Sequence, residues 1–309
     1  MLDIARMRRN LEKVRELVEI IKRNPASTRK MIDIAVFKLF EAESDINTVE
    51  RILPVQIENA KKNKAIPSIN LNKYKFKFSG KTVISIASGA SLSKNIEELQ
   101  QIQHKYKIVA ADRSLNYLLN HGIKPKFVIA LDAEMKTKAD IDNVDLHGSI
   151  LLAHIGCNHD FVRKFYQLGG RVCFFVTPCR INSHIELIKE AELSDLPIIT
   201  KCGGCVGHAT ISFALEFFNC KQLILLGHDY SYIDDAYYSG INSIRKEEEI
   251  ILNEELNLKT NANLFRYSQQ ISEYIKLNNH IDKIVDCSDG IITGIDKLSF
   301  KFLIGGIEN

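Results

Sequence analysis

From Gly80 onward, short β-branched runs alternate with stretches of helical periodicity, which confines the chain to a mainly parallel sheet covered by helices. Strands are expected over 82–87, 107–111, 127–131, 150–154, 172–176, 222–226 and 283–286. Helices fall between most of them, most clearly over 114–120, 160–166 and 208–218. The 245–255 region reads as a charge-rich helix or a mobile loop. The fold class is α/β.

The first strand carries the most informative loop. Val83, Ile84 and Ile86 give way to Ser88-Gly89-Ala90-Ser91, and a helix carrying Ile96 and Leu99 follows. Gly89 lets the backbone turn, and Ser91 or Ser93 is the expected helix cap. Free amides and the positive end of the helix dipole would then favour a phosphate above the strand. The loop is not a Walker A motif, because no Gly-Lys-Ser/Thr follows. Nor is it the dinucleotide fingerprint, which needs three glycines.

Residues 1–66 read differently. Ile4, Met7, Leu11, Val14, Leu17, Val18 and Ile21 keep helical spacing until Asn24-Pro25 ends the run. Ser27 or Thr28 is expected to cap a second helix, and a third is expected over 45–64 with Pro54 near or inside it. Tyr74, Phe76 and Phe78 alternate as in a strand or extended arm. The expected organisation is a helical appendage (1–66), a linker or arm (67–79) and a nucleotide-binding α/β domain (80–309). The appendage is a candidate for homo-oligomerisation or partner docking.

Charge is unevenly spread. Residues 1–80 hold 17 Lys and Arg against 10 Asp and Glu, while the whole chain is only +3. Acids are interleaved with the bases, so solvated faces of amphipathic helices explain the surplus better than nucleic acid or lipid binding. No segment approaches the roughly 20 apolar residues that cross a bilayer, and the charged N-terminus lacks a signal-peptide core. Seven cysteines scattered through strands and helices suit reduced thiols, hence a cytoplasmic setting.

In an open, Rossmann-like sheet, ligands bind beyond the carboxyl ends of the strands. Reading the residues just past each strand gives Ser88, Gly89, Ala90 and Ser91, then Asp112, then Asp132 and Glu134. His154 with Asn158, Thr177, and Gly227-His228-Asp229 complete the set. Asp112 and Asp132 also suit helix N-caps. A second glycine-rich loop holds Cys202, Gly203, Gly204, Cys205, Gly207 and His208; its glycines permit close approach of a ligand or another backbone, and a loop that happens to hold cysteines is favoured over a zinc or redox site. Tyr230, Tyr232, Tyr237 and Tyr238 cluster after Asp229, and their phenols are candidates to hold a leaving phosphate.

Three ordered blocks resemble a known family. Ser88-Gly89-Ala90-Ser91-Leu92 is similar to the Gly-Pro-Ser-Leu signature of the 6-hydroxymethylpterin diphosphokinase MptE-like family, which includes the motility-associated factor (Maf) flagellin glycosyltransferases. Ala110-Ala111-Asp112-Arg113-Ser114 with Gly122-Ile123-Lys124-Pro125 and Leu131-Asp132 resembles the second block. Gly203-Gly204-Cys205-Val206 through Leu225-Leu226-Gly227-His228-Asp229-Tyr230 resembles the third. The resemblance spans residues 78–295.

The family implies two chemistries. One is ATP- and Mg-dependent diphosphate transfer to a pterin, in which Asp132 and Glu134 would hold the metal. Ala130-Leu131-Asp132-Ala133-Glu134 departs from that branch's Thr-Asp-Leu-Asp-Gly, and Cys157 stands where its histidine motif has an aspartate. The other is glycosyl transfer, which 259–265 and 285–294 fit better. The 227–237 block also resembles bacterial sialyltransferases that use CMP-activated nonulosonic acids, with Tyr237 matching the tyrosine on the departing phosphate. The resemblance thus implies a CMP-sugar donor, no obligatory metal, and a flagellin-like protein or glycan acceptor. Ser88 to Ser91, Asp112, Asp132, His154, Asn158, Gly203 and Gly204 would bind the nucleotide, and His228, Asp229, Tyr232 and Tyr237 would act in transfer. A non-catalytic nucleotide-binding module is the remaining reading.

Overall fold

The computed structural model describes residues 4–134, 141, 144–178, 183–193, 195–199, 204–233, 236, 238–239, 250–253 and 258–307. Its strands are β1 (Thr82–Ile86), β2 (Lys107–Ala111), β3 (Phe127–Ala130), β4 (Ile150–His154), β5 (Arg171–Phe175), β6 (Gln222–Leu226), β7 (Ile250–Asn253), β8 (Leu258–Thr260), β9 (Ile284–Asp286) and β10 (Asp296–Lys297). Eight of them form one all-parallel sheet in the order β10-β9-β6-β1-β2-β3-β4-β5, and β7 and β8 make a separate antiparallel pair. Mainly parallel, helix-flanked α/β architecture is what the alternation predicts.

The helices are α1 (Ile4–Arg23), α2 (Arg29–Asn47), α3 (Leu53–Asn63), α4 (Ile96–Ile102), α5 (Asp112–Asn120), α6 (His159–Gln167), α7 (Ser183–Glu190), α8 (Val206–Ser212), α9 (Ala262–Leu277) and α10 (Phe300–Ile307). Period-two alternation sorts the strand side chains into two buried faces. Val83, Val109, Phe127, Ile129, Leu223 and Leu225 pack with residues of α8 and α9. Ile84, Ile86, Ile108, Ala110, Ile224 and Leu226 point the other way, toward α4, α5 and α10, while Val128 and Leu151 meet α3, α6 and α7. Each fully buried apolar side chain contributes about 1.5–3 kcal/mol relative to exposure.

The connectivity creates the site. The chain steps outward from β1 to β5, then returns through α8 to lay β6 on the other side of β1. Connections therefore diverge between β1 and β6, a topological switch point that opens a crevice at the strand carboxyl ends.

The N-terminal segment is helical as expected. Thr28 caps α2 by accepting from the Met31 amide at 3.3 Å. A π-helical turn over Thr48–Ile52 carries α2 into α3, with Pro54 in the first turn of α3. Asn59 and Asn63 tie α3 to the sheet. Asn63 Nδ2 donates to the Ile155 and Cys157 carbonyls at 2.8 and 2.9 Å, and Asn59 Nδ2 to the Ala133 and Gly156 carbonyls at 3.1 and 3.2 Å.

Two local expectations are corrected. Residues 74–78 are not a strand: a 3-10 turn (Leu71–Tyr74) and further turns bring Tyr74 and Phe78 onto the same ring, Phe127, while Phe76 faces solvent. Within 245–255, residues 250–253 form strand β7 rather than helix, and 245–249 and 254–255 lie outside the described residues.

Candidate functional site

A cleft of about 480 Å³ opens where the β1, β2, β3 and β6 chains leave the sheet, with Gly204 to Gly207 facing them. Its wall also includes Thr48, Ile52 and Gln56, so the N-terminal helices reach the site. The π turn supplies two of these residues, Thr48 and Ile52, a placement such turns often have.

The β1 loop is bound to β6 rather than left open. The Ala87 and Gly89 amides donate to the Leu226 and Gly227 carbonyls at 3.0 and 2.8 Å, and the Leu92 amide to the Gly89 carbonyl at 3.1 Å. The Ser91 amide donates to Asp229 Oδ2 at 2.8 Å, and its hydroxyl to Asp229 Oδ1. The Asp229 carboxylate thus occupies the anion cradle that the sequence assigns to a ligand phosphate. Gly89 makes this contact feasible, because a Cβ there would lie 2.5 Å from Asp229 Oδ2 and from the Gly227 carbonyl. Burial raises the Asp229 carboxyl to about 6, against the lowering effect of the two Ser91 bonds. Neither Ser91 nor Ser93 caps a helix: Ser93 bonds back to the Ala90 carbonyl, and a 3-10 turn precedes α4.

Behind the β6 end, His228 is fully buried and does not line the cleft. Its Nε2 lies 3.0 Å from Ser85 Oγ, which donates to Thr210 Oγ1 at 2.8 Å, and Thr210 donates to the Gly207 carbonyl at 2.8 Å. Desolvation drives the imidazole down to about 3, so it is neutral at physiological pH. Its Nδ1 lies 3.5 Å from the hydroxyl of Tyr230, a residue that borders the cleft. His228, expected to take part in transfer, thus stands behind the cleft wall, with Tyr230 between it and the cleft.

The β2 and β3 ends carry charge. Asp112 begins α5, its Oδ1 accepts from the Arg113 amide at 2.7 Å, and burial raises its carboxyl to about 7. Arg113 lies 3.5 Å from Asp132, and its guanidinium lies over the Tyr238 ring at 5.4 Å. Glu134 pairs with Arg51 of the π turn. The two carboxylates that a magnesium ion would use are thus each matched to a guanidinium. No cluster of three potential ligands occurs among the described residues, and a magnesium ion held by one or two carboxylates and substrate phosphates would need Asp132 or Glu134 released from its arginine.

A family model described as 6-hydroxymethylpterin diphosphokinase MptE-like matches residues 55–235, more than half of the chain. The chain belongs to this family. The MptE-like match begins inside α3, the helix that Asn59 and Asn63 fasten to the sheet. One curated relative, from Methanocaldococcus jannaschii, is named 6-hydroxymethyl-7,8-dihydropterin pyrophosphokinase. It is 24% identical over 241 residues, which are 77% of this chain and 89% of the relative. A solved structure, the Maf glycosyltransferase from Magnetospirillum magneticum AMB-1, superposes with a TM-score of 0.59 at 16% identity. That match covers 89% of this MptE-like chain and 43% of the other, so the chain spans under half the length of the solved protein.

Of the residues named from sequence, the MptE-like cleft brings together Ser88, Gly89, Asp112, Asp132, Gly204, Cys205, Gly207, Asp229, Tyr230 and Tyr238. Others stand apart from it. His154 is buried at the end of β4, accepts from the Gly156 amide at 3.2 Å and meets Phe175 edge-on; burial lowers it to about 4. Asn158 caps α6, accepting from the Phe161 amide at 3.0 Å. Tyr232 is buried, and its hydroxyl accepts from Asn261 Nδ2 at 3.1 Å. Gly203, Cys202 and Tyr237 lie outside the described residues. His208 packs against Tyr274 with ring centres 4.7 Å apart and planes tilted by 58°, while Cys205 caps its helix.

Sequence reasoning gave no role to Arg113, Gln56 or Tyr267, all of which line the cleft. Arg113 sits beside Asp112 at a helix start, a signal within reach. Tyr267, on α9, carried none.

Proposed function

We propose that this chain is a nucleotide-dependent transferase acting at the β1/β6 cleft, and that it moves a nonulosonic sugar from a CMP-activated donor to a hydroxyl of a protein or glycan. The observation that carries this reading is the charge pattern of the cleft. The helical run that starts at Val206 offers positive potential, Arg113 stands at the cleft wall 3.5 Å from Asp132 and can turn from it to a phosphate, Asp112 is matched to neutral pH, and Glu134 is already balanced by Arg51. A triphosphate with magnesium would want the opposite, carboxylates left open for a metal.

The donor phosphate is a diester with one negative charge. Breaking its bond to the anomeric carbon leaves a second charge on the departing oxygen, which Arg113 and the amides of the first helical turn are suited to receive. The acceptor oxygen bonds to that carbon and gives its proton to Asp112, a base whose affinity for protons suits neutral pH. A flagellin-like protein is the acceptor to try first.

The second reading, diphosphate transfer to a pterin alcohol, is favoured by the extent of the match to the pterin pyrophosphokinase, 89% of that relative. Thermal melts with CMP, CDP, ATP and ATP–Mg²⁺ separate the two, since a ligand bound only by the native state raises Tm by mass action. CMP is expected to raise Tm and ATP–Mg²⁺ to leave it unchanged. A shift with ATP–Mg²⁺ alone would reverse the order.

A further inference from the structure

The protons behind Tyr230 have a direction that the heavy atoms dictate. The Gly207 carbonyl can only accept, so the single Thr210 proton goes to it at 2.8 Å. Thr210 Oγ1 then accepts from Ser85 at 2.8 Å, which uses the Ser85 proton. At 3.0 Å from His228 Nε2, Ser85 is left to accept, so Nε2 carries the imidazole hydrogen. Buried and neutral, the ring has a bare Nδ1, and the Tyr230 hydroxyl stands 3.5 Å from it. Imidazole nitrogen is a stronger acceptor than the Cys205 sulfur 3.9 Å away, so the phenol proton points at His228.

Backbone and packing hold Tyr230 to this pose. Its φ of 52° is in the left-handed region, which a bulky residue rarely adopts, and Thr260 Oγ1 donates to its carbonyl at 2.7 Å. Position 207 has to be glycine for the hydroxyl to fit, since a Cβ there would lie 2.1 Å from the phenol oxygen.

We propose that His228 is a positioning residue that turns the Tyr230 proton inward, so that Tyr230 meets the cleft as a hydrogen-bond acceptor and selects a nucleotide presenting an N–H or O–H at that wall. This rests on the nucleotide reading given above. It removes Tyr230 from the phenols expected to hold the leaving phosphate, because phosphate oxygens have no proton to give. The donor group is the exocyclic amine of cytosine or a ribose hydroxyl, which share the chemistry.

Two measurements test it. Nitrogen-15 NMR of labelled histidine is expected to find His228 as the Nε2–H tautomer, with no titration between pH 5 and 8 (about the physiological window). The Nδ1–H tautomer, or an imidazolium at pH 7, overturns the proposal. Calorimetric titration with CMP, UMP, 2′-deoxy-CMP and 3′-deoxy-CMP then identifies the donor group. Tyr230→Phe is expected to weaken CMP binding about tenfold and to leave unchanged the one analogue that lacks the recognised group. Equal weakening of all four overturns it. If the wild type binds none of them, the nucleotide reading fails, and the tautomer alone decides the proton direction.

Discussion

Asp112 and Asp229 are carboxyls that the fold holds away from water, and both prefer their proton more than a free aspartate does. For Asp112, with a folded value of about 7 against roughly 3.9 unfolded, the native state retains a proton between those pH values that the unfolded chain has released. Stability therefore falls as pH rises from about 4 to about 7, and the penalty is complete above that range. Asp112→Asn is expected to raise Tm at pH 8 by on the order of 5 °C and to leave it near wild type at pH 4, as melts at the two pH values would record. In the transfer reaction the same variant should lose at least about 100-fold in rate. The wild-type rate should climb with pH through about 7 and then level, because the base must be unprotonated. A variant more stable yet fully active would remove Asp112 from the reaction. At this scale the sequence was informative about Asp112, which stands directly past a strand. It was misleading about Ser91, whose partner Asp229 lies 138 residues away and takes the amide a phosphate would have used.

Helix α3 is fastened by amides rather than by apolar area alone. Asn63 is fully buried, bridges two carbonyls of the turn after β4, and its Oδ1 lies 2.9 Å from His159 Nδ1. Asn63→Ala would strand those groups and is expected to cost about 2–4 kcal/mol, read as a lower denaturant midpoint with unchanged slope. A loss under about 0.5 kcal/mol would mean that water replaces the side chain. The core strands were legible because period-two and continuous apolar runs coincide there with helical spacers, and 107–111, 150–154 and 222–226 match β2, β4 and β6 residue for residue. The arm at 74–78 was not, since alternating rings fit a strand as well as they fit successive turns aimed at one phenylalanine. Short β8 and β10 carry too few residues for any periodicity to register.

Across the whole molecule, the cleft draws on segments from opposite parts of the chain. Thr48, Ile52 and Gln56 form one wall, Leu264 and Tyr267 of α9 another. A chain of residues 48–309 retains α3 and that wall, whereas residues 67–309 leave the α3-facing surface of α6 and α7 bare. The shorter piece is expected to lose cooperative thermal unfolding by circular dichroism, and the longer one to keep it. Equal melts for both would show that α3 is dispensable for the sheet.

The β9 loop secures β6 from behind: Ser288 Oγ accepts from the His228 amide at 2.8 Å, and the Ile291 amide donates to the Asp229 carbonyl at 2.9 Å. During synthesis, a ribosome that has released the chain only as far as the turn after β6 has already delivered Asp112, Arg113 and Asp229. It has not yet delivered the hydroxyl and amide that hold positions 228 and 229. The nascent protein can thus assemble most of its sheet while its site is still unlatched, and about sixty further residues, some 3–12 s of elongation, separate a folded framework from a working cleft.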